Sequence, residues 1–179
     1  MILGKGLFSL QARFWRCCSS SATRTLKPGD VLRQARTYSN EDVVEHAKVS
    51  LDTNPLHLDP EAARYAGFEG PLVHGMLVGA LFPQIVSYHF PGAVYISQSL
   101  RFRLPVYIGD EIVGEVLAVS IRESKSRYLA KFSTKSFKNE GCIVVGEALA
   151  ILPSLAVHVA GGMDSANAAV PGGIIARLG

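Results

Sequence analysis

The sequence predicts an α+β domain: one apolar helix wrapped by a curved antiparallel sheet. Three observations predict it. Leu72–Phe90 is apolar nearly all round, as a helix buried on most sides must be. From Ala93 to Ile151 the pattern turns to strands, with Val94, Ile96, Gln98, Leu100, Phe102 and Leu104 alternating against Tyr95, Ser97, Ser99, Arg101 and Arg103. Hydrophobic residues make up 48% of the 179 positions and charged ones only 18%, enough to bury a large core in one domain.

The first 26 residues stand apart. They carry Lys5, Arg13, Arg16 and Arg24 with no acid, a Ser19-Ser20-Ser21 run, and Leu7, Leu10, Phe14 and Trp15 on one amphipathic face. That pattern predicts a mitochondrial presequence over 1–26 and a matrix location, because Arg13 and Arg16 interrupt the apolar run a secretory signal needs. With Lys27, these cations outnumber the formal net charge of +3, so the body is slightly acidic and lacks the basic footprint of a nucleic-acid binder. Cys17 and Cys18 leave with the presequence, so Cys142 stays alone, which suits a reducing compartment. The longest apolar run, Met76–Val86, is too short to span a bilayer, so no membrane insertion is expected.

The domain itself is expected over 27–153. Lys27-Pro28-Gly29-Asp30 reads as a turn and Val31–Tyr38 as a strand. Ser39 suits a helix N-cap, with Glu41 and Asp42 favoured in the first turn by the dipole; Val43, Val44, Ala47 and Leu51 continue the helix for about three turns. Asp52–Asp59 reads as a loop, since Pro55 lacks an N–H and pushes Asn54 towards extended backbone. Asp59 caps a short helix that starts at Pro60. The buried helix begins near His74-Gly75, and Gly79 and Pro83 predict a bend or a lost hydrogen bond within it. Four consecutive antiparallel strands follow, turning at Arg122–Lys125 and Lys138–Gly141. Residues 154–179, rich in Gly, Ala and Val, show no packing pattern and read as a flexible tail.

Chemistry concentrates between Leu51 and Leu77. Asp52 and His57 are the candidate catalytic pair: an imidazole carries protons near neutral pH, and a nearby carboxylate can hold its charged form or take a turn itself. Asn54 can fix a water or the loop. The amide of Gly75, at a helix start and with no side chain in the way, suits an oxygen that becomes negative during reaction. Asn54, His74 and Gln98 are candidate substrate contacts, the last because it interrupts an apolar strand face. A metal held by His57, Asp59 and His74 is not expected, since no ligand spacing such as HExxH occurs and Asp59 is needed as a cap. No cofactor is expected.

The motif Asp52-Thr53-Asn54-Pro55-Leu56-His57-Leu58-Asp59, followed by Pro71–Met76 (PLVHGM), resembles the MaoC-like (R)-specific enoyl-thioester hydratases of the hotdog fold. The similarity runs from about Lys27 to Pro153. It implies a lyase that adds water reversibly and with syn geometry across trans-2-enoyl thioesters, working as a 3-hydroxyacyl-thioester dehydratase of mitochondrial fatty acid synthesis. It further implies that Asp52 and His57 hold the water, one taking its proton and the other serving Cα, with His57 favoured as the base. The Gly75 amide would hold the thioester oxygen, the acyl group would ride on acyl carrier protein or CoA, and a homodimer would complete the pocket. Arg101 and Arg103 could meet an acidic carrier. Two other functions compete: a hotdog acyl-thioesterase, which needs a carboxylate on the buried helix where none occurs between Leu72 and Phe90, and a non-catalytic acyl-binding subunit.

Overall fold

The computed structural model describes residues 24–158 and 175–177. The presequence reading for residues 1–23 lies outside the described residues. In chain order the elements are β1 (Asp30–Thr37), α1 (Asn40–Ser50), α2 (Pro55–Leu58), α3 (Pro60–Tyr65), α4 (Gly75–Gly79), α5 (Leu81–His89), β2 (Val94–Phe102), β3 (Glu111–Ser124), β4 (Arg127–Lys138), β5 (Gly141–Leu152) and β6 (Ile175–Arg177). The strands form one antiparallel sheet in the order β2-β5-β4-β3-β1-β6.

The α+β reading holds: α4 and α5 form the central helix, and the sheet covers it. Val78, Leu81, Phe82, Ile85 and Val86 are all buried and join Val116, Phe132, Ile143 and Leu152 of the strands in one core. Full burial of a side chain such as Phe82 contributes about 1.5–3 kcal/mol. The expected interruption falls at Ala80, where α4 ends and α5 begins. Pro83 cannot donate to the carbonyl of Gly79, and the ladder is interrupted there. The Ser39 cap is a full capping box, its hydroxyl accepting from Asp42 N–H and the Asp42 carboxylate from Ser39 N–H.

Two expectations need correction, and a third gains its strand order. First, the four later strands are antiparallel, as expected, but are not all neighbours in chain order. β2 lies against β5 at one edge while β3 pairs with β1, so residues 103–110 cross between distant strands. The crossing is anchored by Val73 N–H donating to Val106 C=O at 2.8 Å. Second, the alternation in β2 slips at a bulge between Tyr95 and Ser97. Tyr95 turns to the core side, while Val94 and Ile96 are each 49% exposed. Third, the packed body starts before 27 and extends past 153. Leu26 and Val157 are buried, Thr25 bridges Ala156, Leu26 N–H donates to Leu155 C=O, and Val157 N–H to Arg24 C=O. The 154–179 stretch is thus packed as far as residue 158, and β6 pairs with the free edge of β1. Gly/Ala composition hid this because backbone pairing needs no side-chain pattern.

A truncation that removes 1–26 is therefore expected to be less stable, by about 2–4 kcal/mol, than one that removes 1–23, since it deletes the buried Leu26. Denaturant unfolding of the two forms measures the difference.

Candidate active site

The site is assembled from four local structures that the sequence dictates one by one. α1 ends at Leu51, a non-glycine residue in the left-handed region (φ 60) and 81% exposed. Such a conformation costs of order 1–3 kcal/mol. It reverses the chain and launches Asp52 away from the helix. Asp52 is then fixed locally: its N–H donates to Ser50 Oγ at 3.2 Å, and its Oδ1 accepts from Asn54 N–H at 3.3 Å.

Asp52–Asp59 is not a plain loop, as its proline suggests, because Pro55–Leu58 closes one helical turn. Proline at the first helical position forfeits only an N–H that has no partner there, and the Asn54 side-chain oxygen caps the turn by accepting from Leu56 N–H at 3.1 Å. Asn54 is thus a structural cap, with its oxygen already engaged. The turn aims His57 inward. Its Nδ1 lies 2.8 Å from the carbonyl of Leu72. A carbonyl only accepts, so Nδ1 carries the proton and Nε2 the lone pair. That Nε2 is 4.0 Å from Asp52 Oδ2, with His57 largely buried and Asp52 about half exposed.

His74 lies behind the pair. It is 1% exposed, its Nε2 is 3.0 Å from the carbonyl of Asp52, and its ring stacks on His57 with centroids 3.7 Å apart at 25°. The His46 ring of α1 packs on it at 4.7 Å, a neighbour that no spacing rule selects. Burial pushes the proton affinity of His74 down, more than its bond to the Asp52 carbonyl raises it, so it is neutral at neutral pH. His89 is also buried, with Nδ1 3.2 Å from the carbonyl of His158, and burial again lowers its pKa. Both histidines bind a proton more readily when unfolded, with an ordinary value of 6.5. Stability is therefore complete above that value and is lost as pH falls below it. Thermal unfolding should give a lower midpoint at about pH 5.5 than at about pH 7.5.

Gly75 opens α4 directly after His74, and its amide has no partner among the described residues. A Cβ there would come within 2.9 Å of the Phe102 ring, so glycine lets the aromatic ring lie against the helix start. Asp52, His57, His74 and Gly75 line one end of a cavity of about 500 Å³. Its walls are mainly apolar, with Leu72, Met76, Phe102, Leu104 and Ile143 among them, and Arg103 is its cation. Arg101, in the last residues of β2, is exposed.

One expected substrate contact does not reach this cavity, and Asp59 is the helix cap expected of it. Gln98 is turned into the sheet, accepting from Tyr95 Oη at 2.5 Å and donating to Ser99 C=O and Thr134 Oγ1, a satisfied amide rather than a ligand contact. Asp59 caps α3, its Oδ1 accepting from Glu61 and Ala62 N–H, so the His57, Asp59, His74 trio does not form. Asp52, His57 and His74 do bring ligand-type atoms within 4.8 Å of one another. Stacked imidazoles, however, direct their in-plane lone pairs side by side rather than to one point, a poor fit to tetrahedral or octahedral coordination. Among the described residues no helix is long and apolar enough to cross a membrane.

Comparison with known proteins places the chain in a family. Residues 23–138 match the model of the MaoC like domain. The chain is 59% identical over 157 residues to the mitochondrial 3-hydroxyacyl-[acyl-carrier-protein] dehydratase of Arabidopsis thaliana, covering 86% of this chain and 95% of the relative. It is 39% identical to the (R)-specific enoyl-CoA hydratase of Aeromonas caviae, covering 74% of this chain and 99% of that protein. The solved (R)-hydratase from A. caviae superposes with a TM-score of 0.67 over 72% of this chain and 98% of that one.

Proposed function

This chain belongs to the MaoC-like family, and from that premise we propose that it is a hydro-lyase interconverting (R)-3-hydroxyacyl and trans-2-enoyl thioesters. The observation that carries the reading is the pairing of His57 Nε2 with Asp52 Oδ2 at 4.0 Å, beside the unpartnered amide of Gly75. That separation is too long for a direct hydrogen bond but suits one water: an oxygen about 2.8 Å from each acceptor subtends roughly 90°, near the water angle.

In the hydration direction, the thioester oxygen accepts from Gly75 N–H, which draws charge from Cβ. The water oxygen attacks Cβ while its proton passes to His57 Nε2, the nitrogen left basic by the Leu72 bond. Asp52 holds the second hydrogen and the charge of the imidazolium. The imidazolium then returns its proton to Cα from the same face, so His57 serves both carbons in place of the expected division with Asp52, and addition is syn. Dehydration runs the same steps backwards. The acyl chain lies along the apolar walls, and the thioester arm leaves past Arg103.

The carrier is acyl carrier protein or CoA, by analogy with the names of the two relatives. We place the protein in the mitochondrial matrix, in fatty acid synthesis, with 1–23 as presequence and 24–158 as the catalytic body. Both plant relatives are labelled mitochondrial. A homodimer through the β2 edge would cover Val94, Ile96, Phe102 and Leu104, each about half exposed. The test uses crotonyl thioester and follows enoyl absorbance and free thiol together. Enoyl loss without thiol release supports the hydro-lyase. Thiol release makes it a thioesterase, and neither change makes it a binding subunit.

A further inference from the structure

We propose that His74 is a positioning residue for this chemistry, holding Asp52 and His57 in mutual register from behind; the inference rests on the hydro-lyase reading above. His74 touches both members of the pair. Its Nε2–H donates to the main-chain carbonyl of Asp52 at 3.0 Å, and its ring lies nearly flat against His57 at 3.7 Å.

Neither partner is rigidly held by its own element. Asp52 follows a left-handed residue on an exposed turn, and His57 sits on a helix of a single turn, a length that is unstable in isolation. His74, by contrast, is rooted in the core. Its carbonyl accepts from Leu77 and Val78 N–H at 3.0 and 3.1 Å, which opens the buried helix, and its ring is almost wholly enclosed. It adds the order of that helix to the few local bonds that Asp52 and His57 make themselves.

The side-chain chemistry fits the task. Asparagine could donate and phenylalanine could stack, but an imidazole does both. The cost is visible: with the proton on Nε2, Nδ1 is left buried without a hydrogen bond, a desolvation penalty that a residue present only for packing would avoid. Its neutrality matters too. His57, His46 and Asp52 face it, and a cation stacked on His57 would oppose protonation of the base.

The test compares His74→Phe and His74→Asn with the full chain, using crotonyl thioester. Each should lower kcat by about 10²-fold, leave KM within about twofold, and retain the acid-side loss of activity expected of an imidazole base. A higher KM at unchanged kcat would make His74 a substrate contact. Loss of the acid limb would make it the proton carrier, and wild-type kinetics would leave it no role; each result overturns the proposal. Should both variants fail to fold, ¹⁵N NMR of the wild-type chain decides: His74 protonated on Nε2 supports it, and protonation on Nδ1 refutes it. A wild-type protein that does not hydrate the thioester overturns the hydro-lyase reading itself, whereas silent Asp52→Asn with fully active His74→Phe overturns this inference alone.

Discussion

Asp52→Asn and His57→Ala are each expected to lower turnover by about 10²–10⁴-fold, the range by which positioned acid–base groups accelerate proton transfer. Asp52→Asn keeps the backbone carbonyl that His74 binds and alters a half-exposed side chain, so stability should shift by no more than about 0.5 kcal/mol. The asparagine amide can still orient a water, but its neutral group no longer balances an imidazolium. His57→Ala removes the basic nitrogen outright and also the ring that His74 stacks on, so a modest stability loss accompanies the inactivity. Steady-state kinetics beside thermal unfolding separates the two effects.

The second large effect is structural. Gly146 of β5 pairs with Leu100 of β2 on one side and Thr134 of β4 on the other. A Cβ at this position would lie 1.8 Å from the carbonyl oxygen of Ser99 and 2.9 Å from Gln98 Nε2. A backbone oxygen has no rotamer to escape into, so the strands must part. Gly146→Ala should cost about 3 kcal/mol, at the upper end of overpacking. It should also reduce activity, since β2 carries Phe102 and delivers Arg103 to the cavity. Denaturant unfolding measures the first consequence and crotonyl hydration the second.

Much of this was legible from local rules. Ser39, Asp59 and Pro60 mark helix starts whose physics is contained within four residues, and all three occur as expected. The apolar run around Phe82 and Ile85 could only be a buried helix, and Gly79 with Pro83 located its interruption. The meeting of Asp52 and His57 was also readable, because Pro55 forbids the straight helix that would separate them. What escaped was non-local. Which strand β2 joins depends on the crossing at 103–110, and the bulge after Tyr95 reverses which residues face inward. Gln98 looked like a ligand contact because its partners, Tyr95 and Thr134, come from another register and another strand. Asn54 looked available because a one-turn helix after it leaves almost no periodic trace. His74 lines the cavity, but its stacking on His57 and its bond to the Asp52 carbonyl depend on the fold and left no trace in its spacing.

The most direct measurement is the hydration of crotonyl thioester in D₂O, with NMR of the 3-hydroxy product. A single water held by Asp52 and His57 on one face predicts one diastereomer, with deuterium and hydroxyl added from the same side. Anti addition, or a mixture at Cα, would require a proton source on the opposite face and would contradict the site described.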